Sequence, residues 1–429
     1  MNLTDRERKV LDLIDEKEVV DLAVAMGNIY SPTGFEKPMA DFVQDWLRDQ
    51  GFEAAKQEVV SERFNVVAGL KGSGEGKSLL FNSHMDSDLG GPGEELTFPD
   101  PDLPQNKKVW IEGDKIFGKP VLNDRGPMAA TMIAVKAIKE SGIRLAGDIL
   151  LTMVVGEIGN APIDEFQGSR YLGKGLGSRH LVNHGVVADY ALVAETSDFG
   201  IAWAESGVAY VKIRLTGEAI YTPRSHRSSR IEEHPNAIVK MAKLIQALED
   251  WAARYEKENI YKFAGGEMAP KVAIGAIRGG MPYKPYMTSG VCSIYVDIRI
   301  PPGLSPLQVK QQLQAVAGSL NMEADIQIYL YRAGYVAENI DGFKQVVEES
   351  HQKVFGRPTR PVPTPVTSMW RDINVFNEVG IPALTFGPPR SIPEGPDKAK
   401  GKFMFVRDLV NVTQIYALTA INLCGVGSE

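Results

Sequence analysis

The chain of 429 residues has little cysteine and no surplus of positive charge. Its two cysteines, Cys292 and Cys424, lie far apart in the sequence. This argues against a secreted disulfide scaffold and favours a cytoplasmic protein. The net charge of −7 leaves no basic excess to neutralise phosphates, so we expect no nucleic acid partner.

Long apolar runs are also absent from the sequence. No stretch approaches the roughly 18 uncharged apolar residues that a membrane-spanning helix needs, so we expect no membrane partner. The beginning, MNLTDRERKV, is charged throughout and lacks the apolar segment of a secretory signal. The remaining classes are globular proteins of the cell interior, and a chain of this length predicts two domains.

Strand-like and helix-like runs alternate through the first 200 or so residues. Short apolar runs at Ser78–Ser83, Asp148–Val155 and Asp189–Ala194 predict buried strands, and Pro127–Lys139 predicts a helix. The GGPG run at 90–93 predicts a loop. The alternation predicts an α/β fold in which a mixed central sheet carries helices on both faces.

The pattern changes near residue 203. Gly207–Leu215 alternates like a strand with one solvated face, and a long amphipathic helix is predicted from Asn236 to about Lys257. Two further strand-like runs follow before the α/β character returns. We therefore predict a small α+β domain at 203–331, inserted into a first domain made of residues 1–202 and 332–429.

Polar residues follow several of the predicted strands. His84 and Asp86 end the first strand, Glu157 follows the second and Glu195 the third, and Asn123 stands at the start of a helix. The carboxyl ends of strands in α/β sheets are where ligands bind, and a nearby carboxylate can orient a metal-binding histidine. Each residue alone has an ordinary interpretation, since Asn and Asp cap helices and carboxylates are usually solvated.

Together these residues lie in four segments that resemble a known family. LLFNSHMDS, LNDRGPMAA, VVGEIGN and VAETS, in this order, are similar to segments of the co-catalytic zinc peptidases and deacylases. That family contains glutamate carboxypeptidase, carnosinase, peptidase T, acetylornithine deacetylase and succinyl-diaminopimelate desuccinylase. TGEAIY, HPNAI, VDIRIPPG and VGIPALTFGPP are also close to family patterns. The resemblance implies a metal-binding catalytic domain and an inserted lid that pairs two chains.

Carried over by position, the resemblance assigns roles to the residues that match. His84 matches a metal ligand, and Asp86 matches the carboxylate that orients it. Glu195 matches a ligand of the first metal and Glu157 a ligand of the second.

The chain departs from the family at four positions. Asn123 stands where an Asp bridges two metals, and Gly156 stands where the general-base Glu is expected. The last of the six histidines is His351, so the C-terminal His ligand, expected roughly at Lys398, is absent. In the lid, Tyr221 replaces a His that reaches the partner's site.

These departures predict a site with fewer metal ligands. Asn is neutral and offers one good ligand oxygen, so it cannot bridge two dications as a carboxylate does. We predict one divalent metal per chain, held by His84, Asn123 and Glu195, with manganese favoured and zinc as the alternative. Glu157 is then expected to act as the general base, supported by Asp86.

The expected substrate is a small anion. Arg371 in the first domain and arginines in the lid loop could bind carboxylate or nitro groups; the loop residues are Arg224, Arg227 and Arg230. Tyr221 and His226 are predicted to contact the neighbouring chain's substrate in a homodimer or higher homo-oligomer. For His226, an exposed loop position is the alternative.

Within the family, this combination is most similar to 5-nitroanthranilate aminohydrolase. We therefore predict hydrolysis that replaces a ring amine by hydroxyl and releases ammonia. Two alternatives stay open. One is an ordinary peptide or N-acyl amino acid amidohydrolase, and the other is a catalytically dead relative that only binds. Buried carboxylates without a cation would repel one another, which disfavours the dead relative.

Overall fold

The structure is a computed structural model that describes residues 2–88, 96–97, 100 and 102–427, without the side chains of 104–105 and 396–397. The predicted loop at 90–93 lies outside the described residues. The chain divides into two compact units. The first comprises Met1–Ala204, Val336–Pro363 and Arg371–Glu429, and the second comprises Glu205–Tyr335 and Thr364–Trp370.

The helices and strands of the described residues are numbered here in chain order. The α-helices are α1 Asp5–Leu11, α2 Glu16–Gly27, α3 Lys37–Asp49, α4 Pro104–Lys107, α5 Gly126–Glu140, α6 Leu176–Asn183, α7 Ala237–Glu258, α8 Pro306–Ser319, α9 Asp341–Phe355, α10 Thr364–Thr367, α11 Ile373–Glu378 and α12 Val406–Cys424. The strands are β1 Ala55–Val60, β2 Arg63–Leu70, β3 Leu79–His84, β4 Trp110–Glu112, β5 Lys115–Phe117, β6 Ile149–Val154, β7 Tyr190–Val193, β8 Ala204–Glu205, β9 Gly207–Thr216, β10 Tyr261–Phe263, β11 Gly266–Met268, β12 Val272–Gly279, β13 Val291–Ile300, β14 Ala324–Arg332, β15 Tyr335–Val336, β16 Ala383–Thr385 and β17 Phe403–Phe405.

The first unit is built on a six-stranded sheet in the order β1-β2-β6-β3-β7-β16. β1, β2 and β6 pair antiparallel, whereas β3 runs parallel to both β6 and β7, and β16 runs parallel to β7. In this register His84 lies opposite Val154. The carboxyl ends of β6, β3 and β7 therefore meet at one edge of the sheet.

Side chains alternate between the two faces of this sheet, as in any strand. Leu79 and Phe81 belong to the main core, to which α2, α5 and α12 also contribute. Leu80 belongs to a second core cluster with Ile373 and Phe376 of α11. Both faces are thus covered, which confirms the predicted mixed sheet with helices on both faces. Leu79 and Leu80 are each fully buried, as expected of a strand enclosed on both sides.

The second unit is a small α+β structure with its own core. Its four strands form an antiparallel sheet in the order β12-β13-β9-β14. Buried residues of β9 and β13 pack with α7 and α8, including Val211, Leu248, Ile294 and Leu313. The amphipathic spacing of α7 places Met241, Leu244 and Leu248 on the buried face. The separate antiparallel domain that the sequence pattern predicted is therefore present.

One segment of the second unit was not indicated by the sequence pattern. Thr364–Trp370 joins this unit, although it lies beyond the predicted end of the insertion at residue 331. The Thr367 hydroxyl donates to the Glu267 carbonyl at 2.7 Å, and the Ser368 hydroxyl donates to the Ala269 carbonyl at 2.6 Å. Hydrogen bonds of this kind link residues about 100 positions apart, which local periodicity does not reveal.

Two findings bear on the classes considered from composition. Among the described residues, every helix is too short or too polar to cross a bilayer. Cys292 and Cys424 are both buried and free, so neither forms a disulfide.

Candidate metal centre

Three chemically active side chains lie at the edge where the parallel strands end. His84 is the last residue of β3, Glu157 follows β6 by three residues, and Glu195 follows β7 by two. Because β3 lies between β6 and β7, all three strands deliver their carboxyl ends to the same place. Strand ends of this kind form the ligand sites of α/β sheets.

The ligand atoms of these three residues lie within 4.8 Å of one another. His84, Glu157 and Glu195 are 1%, 5% and 3% exposed. The His84 Nε2, Glu157 Oε1 and Glu195 Oε1 atoms are buried and have no hydrogen-bond partner among the described residues. Buried polar atoms are nearly always satisfied, so a converging unsatisfied group needs an explanation. One nitrogen and two carboxylate oxygens are the ligands that a divalent transition metal accepts.

Asp86 fixes the orientation of the His84 ring. The His84 Nδ1 atom lies 3.0 Å from the Asp86 carbonyl oxygen and 3.4 Å from its Oδ1. The Asp86 carboxylate also accepts hydrogen bonds from the Glu157 and Ile158 amides, at 3.1 and 3.0 Å, and from the Thr33 hydroxyl at 2.9 Å. Burial alone would raise the pKa of Asp86, but its hydrogen bond to His84 holds that pKa well below its usual range. Nδ1 is thus engaged, which leaves Nε2 for a metal.

The remaining carboxylates lack sufficient positive charge around them. Burial raises the pKa of Glu157 to about 7, with Lys174 opposing the rise and Glu195 adding to it. Burial also raises the pKa of Asp372 to about 6, although the Ser178 hydroxyl donates to it at 2.6 Å. A cation among these groups would favour their ionised forms and lower both values.

Asp124 also belongs to this region, although its position in the sequence did not predict a role in the site. Both of its carboxylate oxygens are buried without a partner among the described residues. Burial raises the pKa of Asp124 well above its usual value, and the charge of Glu195 adds to the rise. Asn and Asp at the start of a predicted helix are ordinary caps, but α5 begins after Arg125 with no side-chain cap. The signal that the sequence offers for Asp124 is its place in LNDRGPMAA, one of the four segments that resemble the family.

Asn123, a predicted metal ligand, is partly buried next to Asp124. Its Oδ1 accepts a hydrogen bond from Arg390 Nη2 at 3.2 Å. Its side-chain oxygen is therefore engaged by a protein cation, and its role as a ligand stays a prediction.

Arg371, predicted to bind substrate, is 2% exposed and contacts a candidate ligand instead. Its Nε pairs with Glu195 Oε2 at 2.7 Å, and its Nη2 donates to the Thr196 carbonyl at 3.0 Å. One Glu195 oxygen is thus held by Arg371, while Oε1 faces the cluster. In this geometry Arg371 positions Glu195, and contact with substrate stays a prediction.

Tyr221 and His226 lie in the second unit, where both are exposed. Tyr221 packs edge-on against Tyr286, with ring centroids 6.2 Å apart. Of the lid-loop arginines, Arg230 pairs with Glu232 at 2.9 Å. The positions of these residues are defined within that unit, so their predicted contact with a neighbouring chain's substrate stays a prediction.

Replacing Gly156 by any residue with a side chain should destabilise the local structure. Its φ of +68° is in the left-handed region that favours glycine. A Cβ atom there would lie 2.8 Å from Arg63 Nη2 and 3.0 Å from Leu176 Cβ. The local packing therefore leaves Glu157 as the one carboxylate of this turn. Lys398, at the expected place of the missing His, is exposed.

Comparison with known proteins identifies a family model and several relatives that match this chain. The sequence model of peptidase family M20/M25/M40 matches residues 80–422. Carboxypeptidase G2 of a Pseudomonas species is 30% identical over 243 residues, which cover 54% of this chain and 51% of that protein. The N-formyl-4-amino-5-aminomethyl-2-methylpyrimidine deformylase of Bacillus subtilis is 29% identical over 244 residues, covering 54% and 52%. The chain thus spans about half the length of these curated relatives.

A solved structure supports the fold. The aminopeptidase PepT of Bacillus cereus superposes with a TM-score of 0.66 at 16% identity, over 96% of this chain and 100% of that one. At this identity the likeness establishes the fold alone.

Proposed function

Because the chain belongs to peptidase family M20/M25/M40, we propose that its His84 cluster cleaves the amide bond of a small peptide or N-acyl amino acid. The broader class proposed is a metal-dependent hydrolase that acts on C–N bonds, and both the family membership and the named relatives support it. In the proposed reaction, water adds to the amide carbonyl carbon, the C–N bond breaks, and the amine leaves with a proton. The named activities of the relatives, a carboxypeptidase and a deformylase, are of this kind.

The observation that carries the proposal is the set of unsatisfied buried atoms. His84 Nε2, Glu157 Oε1 and Glu195 Oε1 converge within 4.8 Å, and the Asp124 oxygens are unsatisfied nearby among the described residues. The converging atoms fit a divalent metal, and we propose that His84 and Glu195 hold about one per chain, manganese or zinc, with Asn123 as a further candidate ligand and Glu157 beside it. When bound, the metal would supply Lewis acidity to water and to the substrate carbonyl.

The protein's own residues divide the other work. Asp86 holds His84 in the tautomer that exposes Nε2, and Arg371 holds Glu195 through one oxygen. Glu157 is the proposed proton acceptor, because it is the one carboxylate of the turn after β6 and its buried Oε1 atom faces the cluster. The proton would then pass from Glu157 to the departing amine.

A second candidate is the aminohydrolase reaction on 5-nitroanthranilate, in which water replaces the ring amine and ammonia leaves. The observation that favours it is the crowding at Gly156, which leaves one carboxylate at this turn where the resemblance implies two. Aromatic substitution requires a base and groups that stabilise charge on the nitro substituent, and an anionic substrate would suit nearby arginines. The relatives favour the amide reaction, so this remains the second candidate.

A substrate panel distinguishes the two reactions. Protein loaded with Mn²⁺ or Zn²⁺ is incubated with dipeptides, N-formyl and N-acetyl amino acids, and 5-nitroanthranilate. Released amines, ammonia and nitrosalicylate are measured, with His84→Ala as the metal-site control. We expect amide cleavage that this substitution abolishes. Ammonia and nitrosalicylate without amide cleavage would establish the second candidate, and no turnover of any compound would count against both.

We also propose that the second unit pairs two chains as a homodimer. Its edge strand β12 is largely exposed, with Ile277 55% exposed, and the following loop exposes Tyr283 at 76%. Exposed strand edges invite pairing with another chain. Sedimentation analysis of the protein and of Ile277→Lys tests this. Dimers that the substitution weakens would support it, and a monomer at micromolar concentration would refute it.

A further inference from the structure

Arg390 reaches the candidate metal centre from a loop that follows β16. Its Nη2 donates to Asn123 Oδ1 at 3.2 Å, and its Nε donates to Thr196 Oγ1. Each acceptor is the direct neighbour of a buried carboxylate, since Asn123 precedes Asp124 and Thr196 follows Glu195. The guanidinium thus joins two chain segments that both belong to the site.

The charge of Arg390 acts on the same carboxylates as a bound metal would. Burial lowers the pKa of Arg390, as does the nearby Arg371, whereas Glu195 and Asp124 raise it. A guanidinium keeps its charge in proteins, so it remains a cation under these conditions. Arg390 is therefore a fixed positive charge at the centre, and the charges of Asp124 and Glu195 act on it.

The acceptors around Arg390 are oxygens that a metal could otherwise use. The Asn123 amide oxygen and the Thr196 hydroxyl accept from Arg390, and together with the neighbouring Asp124 and Glu195 carboxylates they form an oxygen-rich set of the kind that divalent cations prefer. Arg390 engages the amide and the hydroxyl with separate nitrogens, which the planar guanidinium can do and the single ammonium of lysine does less well. Asn123 suits this arrangement because a neutral amide oxygen accepts a hydrogen bond without adding charge.

We propose that Arg390 is the built-in second cation of this centre: it fills the place where a second metal ion would bind and so limits the cluster to one. This rests on the proposed function, because it presupposes that His84 and Glu195 hold the first metal. Arg390 acts in this account as a positioning and charge-balancing residue.

Metal binding tests the proposal without reference to turnover. Metal-free protein is titrated with Zn²⁺ and with Mn²⁺, and bound ions per chain and affinity are measured by equilibrium dialysis with a competing chelator. The variants are Arg390→Met, Arg390→Lys and Asn123→Asp/Arg390→Met. Arg407→Met is the matched control, because it removes the same charge at a side chain that is 71% exposed.

We expect about one ion per chain in the wild type. Arg390→Met should bind that ion at least about tenfold more tightly, because a like charge next to the metal is gone. Arg390→Lys and the control should stay within about threefold of the wild type. The double variant, in which a carboxylate replaces Asn123 and the guanidinium is absent, should bind a second ion.

Other outcomes separate this proposal from the proposed function. Two ions in the wild type, or unchanged affinity in Arg390→Met with one ion in the double variant, would overturn the role of Arg390 alone. A wild type that binds no ion would instead overturn the proposed function. Circular dichroism and thermal unfolding verify that each variant folds, and Arg390→Gln serves as the second neutral variant if Arg390→Met does not.

Discussion

Two groups of buried charges in the first unit differ in how they are satisfied. Glu36 and Arg63 are 0% and 1% exposed, and they pair through two hydrogen bonds, one of them from Nε at 2.9 Å. Arg63 Nη1 donates to the carbonyls of Ser169 and Leu172 at 2.7 and 2.6 Å. The protein itself therefore supplies the partners of this pair.

The His84 cluster is buried like the Glu36–Arg63 pair, but several of its polar atoms have no partner among the described residues. His84 Nε2, Glu157 Oε1, Glu195 Oε1 and both Asp124 oxygens have no partner in the described part of the chain. Burying charged groups costs several kcal/mol per ion unless partners compensate. The comparison indicates that a closed buried pair serves stability, whereas a converging open group serves a ligand.

The largest expected effect is on turnover at the open cluster. Glu157→Gln should lower kcat by about 10²–10⁴-fold, because it removes the proposed proton acceptor while retaining its shape. Bound metal should persist, because His84 and Glu195 remain as ligands. Steady-state kinetics and metal analysis on the same preparation measure both. Glu165→Gln, an exposed position of the same segment, is the control; near-normal turnover of Glu157→Gln would contradict the assignment.

At the Glu36–Arg63 pair we expect a loss of stability without a loss of bound metal. Arg63→Met should destabilise the protein by about 3–5 kcal/mol, because it leaves Glu36 buried without its partner. Its metal content should match the wild type. Urea unfolding monitors stability, and Glu36→Gln/Arg63→Met should recover part of the loss. An Arg63→Met variant that is as stable as the wild type but binds no metal would contradict the stabilising role assigned to the Glu36–Arg63 pair.

The local sequence pattern predicted where the strands end, but it did not predict which buried charged side chains find partners within the protein. The apolar runs before His84, Glu157 and Glu195 predict buried strands, and the structure pairs these strands in parallel, so that their carboxyl ends lie together. Side-chain contacts that depend on tertiary packing cannot be predicted from the local sequence pattern. Arg390 and Asn123 are 267 positions apart, and Arg63 and Glu36 are 27 apart, so neither contact follows from spacing. Asp124 was accessible to sequence reasoning but had a commoner interpretation as a cap.

Dependence on pH sharpens the comparison in metal-free protein. The folded-state pKa of Glu157 is about 7 against a usual 4.5, and that of Asp372 is about 6 against 3.8. Since the pKa values of both carboxyl groups are raised on folding, each group binds more protons in the folded than in the unfolded state at pH values between its usual and its folded-state pKa. Stability should therefore fall as pH rises from about 4.5 through 7, by on the order of 3 kcal/mol for Glu157.

Thermal unfolding at pH 5.5 and 8, with and without chelator, measures this effect. Chelated protein should unfold at a lower temperature at pH 8 than at pH 5.5, and bound metal should reduce the difference. A difference of equal size with and without metal would place its origin outside the cluster.

The smallest predicted effect concerns the support of His84. Thr33→Val removes the hydroxyl that donates to Asp86 Oδ2 at 2.9 Å, while the two backbone donors remain. Metal affinity should fall by about tenfold, as is typical for partners that orient a ligand. Chelator competition measures it, and unchanged affinity would show that the backbone amides alone fix Asp86.

Metal content tests the central claim, that the open cluster is completed by a divalent ion, most directly. Wild type and His84→Ala are stripped of metal, dialysed against Zn²⁺ or Mn²⁺, freed of excess ion and analysed for metal per chain. The account predicts about one ion per chain in the wild type and almost none in the variant. Equal metal in both proteins, or none in the wild type, would contradict it.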